Sequence, residues 1–257
     1  MRTISVVGIG SGNPEHLTVQ AISELNAADV VFMLDKGEDR ASLTDVRTQI
    51  CDRYITGPCR IVTVADAQRD RDAAQYAAAV DDWRARRADI YAQLITTELA
   101  ADGRGAILAW GDPAFYDSTL HVLHEVLARA SVSFELRVIP GISSVQALAA
   151  QHQVSLTRTG RPLHITTGRR LAAEGFPGHS DDVVVMLDAR TAFSVAAADD
   201  EIYWGAYVGT PDEILIAGRV GDVAGHIVAE REAARQKHGW IMDTYLLRRP
   251  PGAGSSG

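Results

Sequence analysis

Three short strings gather small and polar residues directly after apolar, strand-like runs. They are Val6-Val7-Gly8-Ile9-Gly10-Ser11-Gly12-Asn13-Pro14, then Trp110-Gly111-Asp112-Pro113, then Val138-Ile139-Pro140-Gly141-Ile142-Ser143-Ser144. In an open α/β sheet such positions form the carboxyl edge, where ligands usually bind. Asp112, between glycine and proline, is held in an extended turn with its carboxylate at that edge, where it can meet a ligand or close the turn itself. Ser143 can likewise meet a ligand or cap the helix that follows. A dinucleotide fingerprint, Gly-x-Gly-x-x-Gly, would need glycine at position 13, which is Asn13. Pro14 then delays the helix, so a pyrophosphate loses the close helix N-terminus it wants. Nicotinamide chemistry is disfavoured.

The elements that must position these strings follow from periodicity. Ile4 to Val7 reads as a buried strand, and Thr18 stands where an N-cap belongs ahead of Ala21, Ile22 and Leu25. A second apolar run, Val30 to Leu34, ends at Asp35-Lys36-Gly37, giving a βαβ start and parallel pairing. Strands are predicted at 60–64, 106–110 and 134–139. A long helix is predicted over 72–100, with Tyr76, Val80, Trp83, Ile90 and Leu94 inward and Asp81, Asp82, Arg84, Arg86 and Arg87 as a solvated face. Ser118 or Thr119 is expected to cap a helix holding Leu120, Leu123, Val126 and Leu127, and a small-residue helix spans 143–151. Beyond residue 160, strand-like runs lie at 162–166, 183–187, 202–208, 213–218 and 240–247, several of them separated by little helix, which favours antiparallel pairing. The fold class is α/β with two α/β lobes: a mostly parallel N-terminal sheet over 1–158, a mixed C-terminal sheet over 159–249, and a disordered tail over 250–257.

Composition sets outer bounds. The 257 residues are 46% hydrophobic and carry a net charge of −8, without the basic footprint that nonspecific nucleic-acid binding needs. Lys36 and Lys237 are the only lysines, so basic recognition falls to arginine, whose fork suits carboxylates. Cys51 and Cys59 match no zinc spacing and make no disulfide framework; they read as reduced thiols, and no metal is expected. No apolar run approaches the ~18–20 residues of a membrane span, and a cytoplasmic protein without a membrane partner is the expectation.

Taken together, the strings resemble the tetrapyrrole methylase family, which reads Val-Gly-x-Gly-Pro-Gly-Asp-Pro-x-x-Leu-Thr, then Gly-Asp-Pro, then Val-x-Pro-Gly-x-Ser/Thr. Here Val7 to Thr18, Gly111-Asp112-Pro113 and Val138 to Ser143 match, with Ser11 for the usual proline and Asn13 for the usual aspartate. The resemblance implies two α/β lobes with an active-site cleft between them, a homodimer, and S-adenosylmethionine as methyl donor, leaving S-adenosylhomocysteine. Carried over position by position, it puts the cofactor contacts at Ser11, Gly111, Asp112, Phe115, Ser143, Ser144, Met186 and Ala206. Methyl transfer from a sulfonium needs two reactants positioned and no covalent protein nucleophile. A carboxylate clamped on sulfur would favour the charged ground state, so Asp112 is expected at the amino-acid or ribose end of the cofactor, or facing substrate.

Leu34 to Gly37, Ala206 to Glu213 and Gly239 to Arg249 resemble one branch of the family more particularly. That branch methylates C-1 of precorrin-5 and releases acetate, giving precorrin-6A in cobalamin biosynthesis. Loss of the acetyl group needs a base and an oxyanion stabiliser. Asp35, Asp112, Tyr116 and His121 are candidates for the base, and Lys36 for the stabiliser or for a substrate carboxylate. Arg40, Arg47, Arg158 and Arg169 are candidates for the other substrate carboxylates. Alternative readings are another precorrin or uroporphyrinogen C-methyltransferase, a diphthine synthase-like protein methylase, and a tetrapyrrole-binding module without catalysis.

Overall fold

The computed structural model describes residues 1–35, 41–68 and 76–250. They fall into two units, Met1–Ser143 and Ser144–Gly257, each built on one five-stranded sheet. The predicted tail beyond Pro250 lies outside the described residues.

In the first unit the elements alternate as β1 (Arg2–Gly8), α1 (Val19–Asn26), β2 (Val30–Asp35), α2 (Ala41–Tyr54), β3 (Arg60–Ala65), α3 (Tyr76–Glu98), β4 (Arg104–Ala109), α4 (Thr119–Ala128) and β5 (Phe134–Ile139). The strand order is β3-β2-β4-β1-β5 and every pairing is parallel. The three inner strands are buried almost throughout, as a sheet covered on both faces requires. Alternate side chains feed two cores. Ile4, Val6 and Phe32 pack with α3 and α4 through Tyr91, Ile95 and Leu123, while Val7, Val31 and Met33 pack with α1 and α2 through Leu25, Ile50 and Cys51. Parallel pairing puts all five carboxyl ends on one edge. The strands that lead into the three glycine strings, β4, β1 and β5, are neighbours there.

Local chemistry sets the helix starts. Thr18 Oγ1 accepts from Ala21 N at 3.0 Å, the expected N-cap. Ser118 does not cap α4: its hydroxyl accepts from Arg87 at 2.9 Å, and Asp117 Oδ1 accepts from Thr119 N instead, at 2.6 Å. Arg87 also corrects the expected solvated face of α3. It is 6% exposed, because Trp83 and Tyr91 lie one turn away on either side and draw it onto the buried stripe. Its Nε stands 2.9 Å from Asp66 Oδ1, a charge contact whose angle falls short of a hydrogen bond.

The second unit holds α5 (Ser144–Gln151), β6 (Leu163–Thr167), α6 (Gly168–Glu174), β7 (Asp182–Met186), β8 (Glu201–Ala206), β9 (Ile214–Arg219), α7 (Val220–His238) and β10 (Asp243–Arg248). Its sheet runs β6-β7-β10-β8-β9, with β6 and β7 parallel and every other pairing antiparallel, so the mixed sheet is as expected. Between β9 and β10 stands α7, a helix of 19 residues. The buried stripe of α7 is Val220, Ile227, Arg231 and Ala234, and a charged residue within it hides the apolar period. Among the described residues, no helix is long and apolar enough to cross a membrane.

The buried pair in the first unit separates from surface pairs by measurement. Asp66→Ala leaves the Arg87 charge uncompensated and is expected to cost about 3–5 kcal/mol in urea unfolding. Glu98→Ala, which frees the exposed Arg60, is expected to cost under about 1 kcal/mol.

Candidate active site

The three glycine strings close on one another at the carboxyl edge of the first sheet. A Cβ on Gly141 would stand 2.2 Å from Gly111 O and 2.8 Å from Gly8 Cα, and one on Gly8 would stand 2.6 Å from Gly141 N. Only bare backbone fits. Gly10 and Gly111, both at positive φ, exchange hydrogen bonds of 3.2 and 2.8 Å. Asp112 ties the clasp: Oδ1 accepts from Ala114 N and Oδ2 from Gly141 N, each at 2.8 Å. Ser11 sits here at 1% exposure, and its Oγ has no hydrogen-bond partner among the described residues. A buried hydroxyl so placed can bond a ligand atom. Ser143 is also buried at this edge.

A cluster of charged groups gathers around Asp66, just past the carboxyl end of β3. The half-buried Arg47 lies among Tyr91, Asp117, Arg87 and Asp66, and burial pulls its guanidinium below the usual arginine range. Burial also pushes the Tyr91 phenol up to about 12. Asp35 is exposed at the end of β2, where its carbonyl accepts from Asp66 N at 2.8 Å. Tyr116 is 49% exposed in the turn after the Gly-Asp-Pro string, and His121 is exposed on α4. Lys36 and Arg40 lie outside the described residues.

In the second unit, the carboxyl ends of β6, β7 and β8 share an edge with the amino ends of β9 and β10. Met186 is half-buried and Ala206 fully buried on that edge, and Ser144 opens α5. Exposed Arg169, on α6, lies at the same end of the sheet as Met186. Arg158 does not: it donates to Asp182 at 2.9 Å at the opposite end, where Arg248 shares the same carboxylate.

Backbone strain marks both edges. Phe115, Met186 and Ala206 each precede a non-glycine residue in the left-handed region, namely Tyr116 (φ 52°), Leu187 (φ 55°) and Tyr207 (φ 50°). Each such residue costs on the order of 1–3 kcal/mol and persists only where its surroundings over-determine it. Around Tyr207 the surroundings are the two strings singled out in the sequence. Its hydroxyl donates to Trp240 O at 2.6 Å, its N–H donates to Met242 O at 2.9 Å, and Lys237 pairs with Asp212 at 2.8 Å. Sequence reading passed over Asp66, Asp188, Arg231 and Asp243. The available signal was a charged residue lodged in an apolar stripe, but its partner comes from another element.

Residues 3–224 match the family of tetrapyrrole (corrin/porphyrin) methylases. The chain belongs to the tetrapyrrole methylase family. Members of this family use S-adenosylmethionine. Over 251 residues the chain is 52% identical to the precorrin-6A synthase [deacetylating] of a Sinorhizobium species, covering 97% of this chain and 96% of that relative. A precorrin-2 C(20)-methyltransferase from a Sinorhizobium species is 30% identical over 173 residues, covering 65% of each chain. The crystal structure of a cobalamin synthesis related protein (CobF) from Corynebacterium diphtheriae superposes with a TM-score of 0.83 at 39% identity, covering 96% of this chain and 98% of that one. A uroporphyrin-III C-methyl transferase from Thermus thermophilus, solved with S-adenosylhomocysteine, has a TM-score of 0.56 at 19% identity over 96% of this chain and 97% of that one, and shares the fold. The glycine cradle and the unpaired Ser11 hydroxyl fit a cofactor held by backbone and small polar groups.

Two expectations test this edge. Gly141→Ala forces a methyl group into backbone on two sides, and a loss of about 3 kcal/mol or more is expected in denaturant unfolding. The raised Tyr91 phenol lends stability that is complete below the ordinary tyrosine value of 10.0 and is lost as pH rises toward about 12. Unfolding midpoints measured from pH 9 to 12 should therefore fall more steeply for the native chain than for Tyr91→Phe.

Proposed function

We infer that this chain is an S-adenosylmethionine-dependent C-methyltransferase acting at C-1 of precorrin-5, with release of acetate to give precorrin-6A. The 52% identity to a deacetylating precorrin-6A synthase, along nearly the whole of both chains, is the observation that carries this reading. When bound, S-adenosylmethionine supplies a methyl group activated by its sulfonium. Ser11, Gly111, Asp112, Phe115 and Ser143 from the first unit, and Ser144, Met186 and Ala206 from the second, are assigned to holding it. Asp112 positions: both its oxygens already accept backbone amides, which fixes the clasp that the cofactor meets. Arg47 and Arg169 are assigned to substrate carboxylates. Arg47 is the better placed, since partial burial strengthens its attraction for an anion.

Release of the acetyl group joins a water oxygen to the acetyl carbon and breaks that carbon's bond to C-1. The bond's electron pair stays on C-1, which takes the incoming methyl group, and the water proton passes to a base. Asp35 and Tyr116 are the exposed groups of the first edge assigned to that proton. On the same reading the enzyme works as a cytoplasmic homodimer on a small-molecule tetrapyrrole.

Calorimetric titration with S-adenosylhomocysteine, followed by turnover on precorrin-5 with acetate detection, tests the assignment. Saturable binding and one acetate per methyl transferred are expected. Asp112→Ala should lower kcat/KM at least tenfold by releasing Gly141. Binding without acetate would leave the methyltransferase and remove the substrate; no binding would remove the function.

A further inference from the structure

One buried cation in the second unit reaches both strained strand exits. Arg231 of α7 is 7% exposed. Its Nε donates to Asp243 Oδ2 at 2.8 Å, and its Nη2 donates to the carbonyl oxygen of Asp188. Asp188 directly follows the left-handed Leu187, and Asp243 is the cross-strand register partner of Ala206. A single guanidinium therefore fastens the segment after Met186 and the residue beside Ala206.

The surrounding groups lock the same two points. Trp204 Nε1 donates to Asp243 Oδ2 at 3.1 Å. Asp188 Oδ2 accepts from Tyr245 Oη at 2.8 Å and from Ala192 N at 2.6 Å, while Oδ1 accepts from Arg190 N at 2.8 Å. The carboxylate lies against the first residue of α6, and glycine is required there, because a Cβ on Gly168 would stand 2.5 Å from Asp188 Cγ.

Stability alone does not account for this arrangement. Replacing a buried ion pair with apolar residues of similar volume is often neutral or stabilising. Arg231 continues a stripe of Val220, Ile227 and Ala234, where an apolar side chain would serve the core. What an apolar side chain lacks is a planar fork of donors able to hold a carboxylate and a carbonyl at once. The carbonyl held belongs to the residue after a strained one.

We propose that Arg231 is a positioning residue for the methyl donor, acting through Asp188 and Asp243 to hold Met186 and Ala206 in their binding conformation. This rests on the reading of those two residues as cofactor-binding. It predicts that Arg231 affects affinity for the donor more than the rate of the chemical step or affinity for the tetrapyrrole.

The test is the double variant Arg231→Met with Asp243→Asn, which removes both charges together and keeps an acceptor for Trp204. Its thermal midpoint should stay near that of the native chain. Its Kd for S-adenosylhomocysteine and its KM for S-adenosylmethionine should each rise at least tenfold, while kcat and the tetrapyrrole KM change less than threefold. Hydrogen exchange over residues 186–192 should quicken. Should the double variant not fold, Arg231→Lys, which keeps the charge but not the fork, should stay folded and still lose affinity for S-adenosylhomocysteine. A folded variant that binds S-adenosylhomocysteine within twofold of the native chain overturns the proposal and leaves the proposed function standing. Absence of binding by the native chain overturns the proposed function, and this assignment with it.

Discussion

The first unit depends on backbone approaching backbone. Gly8, Gly111 and Gly141 meet with no room for a Cβ, and Asp112 bonds across the junction to the amide of Gly141. This contact is possible because β4, β1 and β5 are adjacent and parallel, so their carboxyl ends arrive together. Everything assigned to cofactor binding in this unit hangs from it. Ser11 is two residues beyond Ile9, which closes β1's hydrogen bonding to Ala109; Phe115 follows Asp112; Ser143 follows Gly141. In a junction assembled this way the amides of Gly10, Gly111, Ala114 and Gly141 are all bonded within the clasp.

The second unit solves a comparable problem with charge. Its strand exits carry side chains at Leu187 and Tyr207 in conformations glycine would adopt without strain. Buried hydrogen bonds hold them: Arg231 on Asp188 and Asp243, and Trp240 and Met242 on Tyr207. Left-handed backbone at a non-glycine residue costs free energy that local packing must offset. Side chains at these exits, unlike glycine, also present surface, and Leu187 is 61% exposed. Both backbone and side chain are presented at this edge.

The two units differ in how openly the sequence displays their elements. Gly-Asp-Pro after an apolar run, Thr18 ahead of Ala21, and short strands beyond residue 160 are local signals, each confined to a few consecutive residues. They suffice for the parallel and mixed sheets and for the positions of the three glycine strings. Arg87 and Arg231 are opposite cases. Each is buried against a carboxylate from another element, Asp66 beyond β3 in one case and Asp243 in β10 in the other. The charge of Arg231 also interrupts the apolar period of α7.

What the sequence by itself determined was the set of elements, the family resemblance and the three strings at strand ends, since turn chemistry and periodicity act over neighbours in the chain. Which atoms meet was decided only by the tertiary structure. It turned Asp112 from a free carboxylate into a tie between two loops, took Ser118 from its helix to bond Arg87, and set Arg158 at the far end of its sheet from Met186. Each outcome depends on strand order and register. These bring together residues 24 to 31 positions apart, and short-range sequence preference carries no information about such pairings.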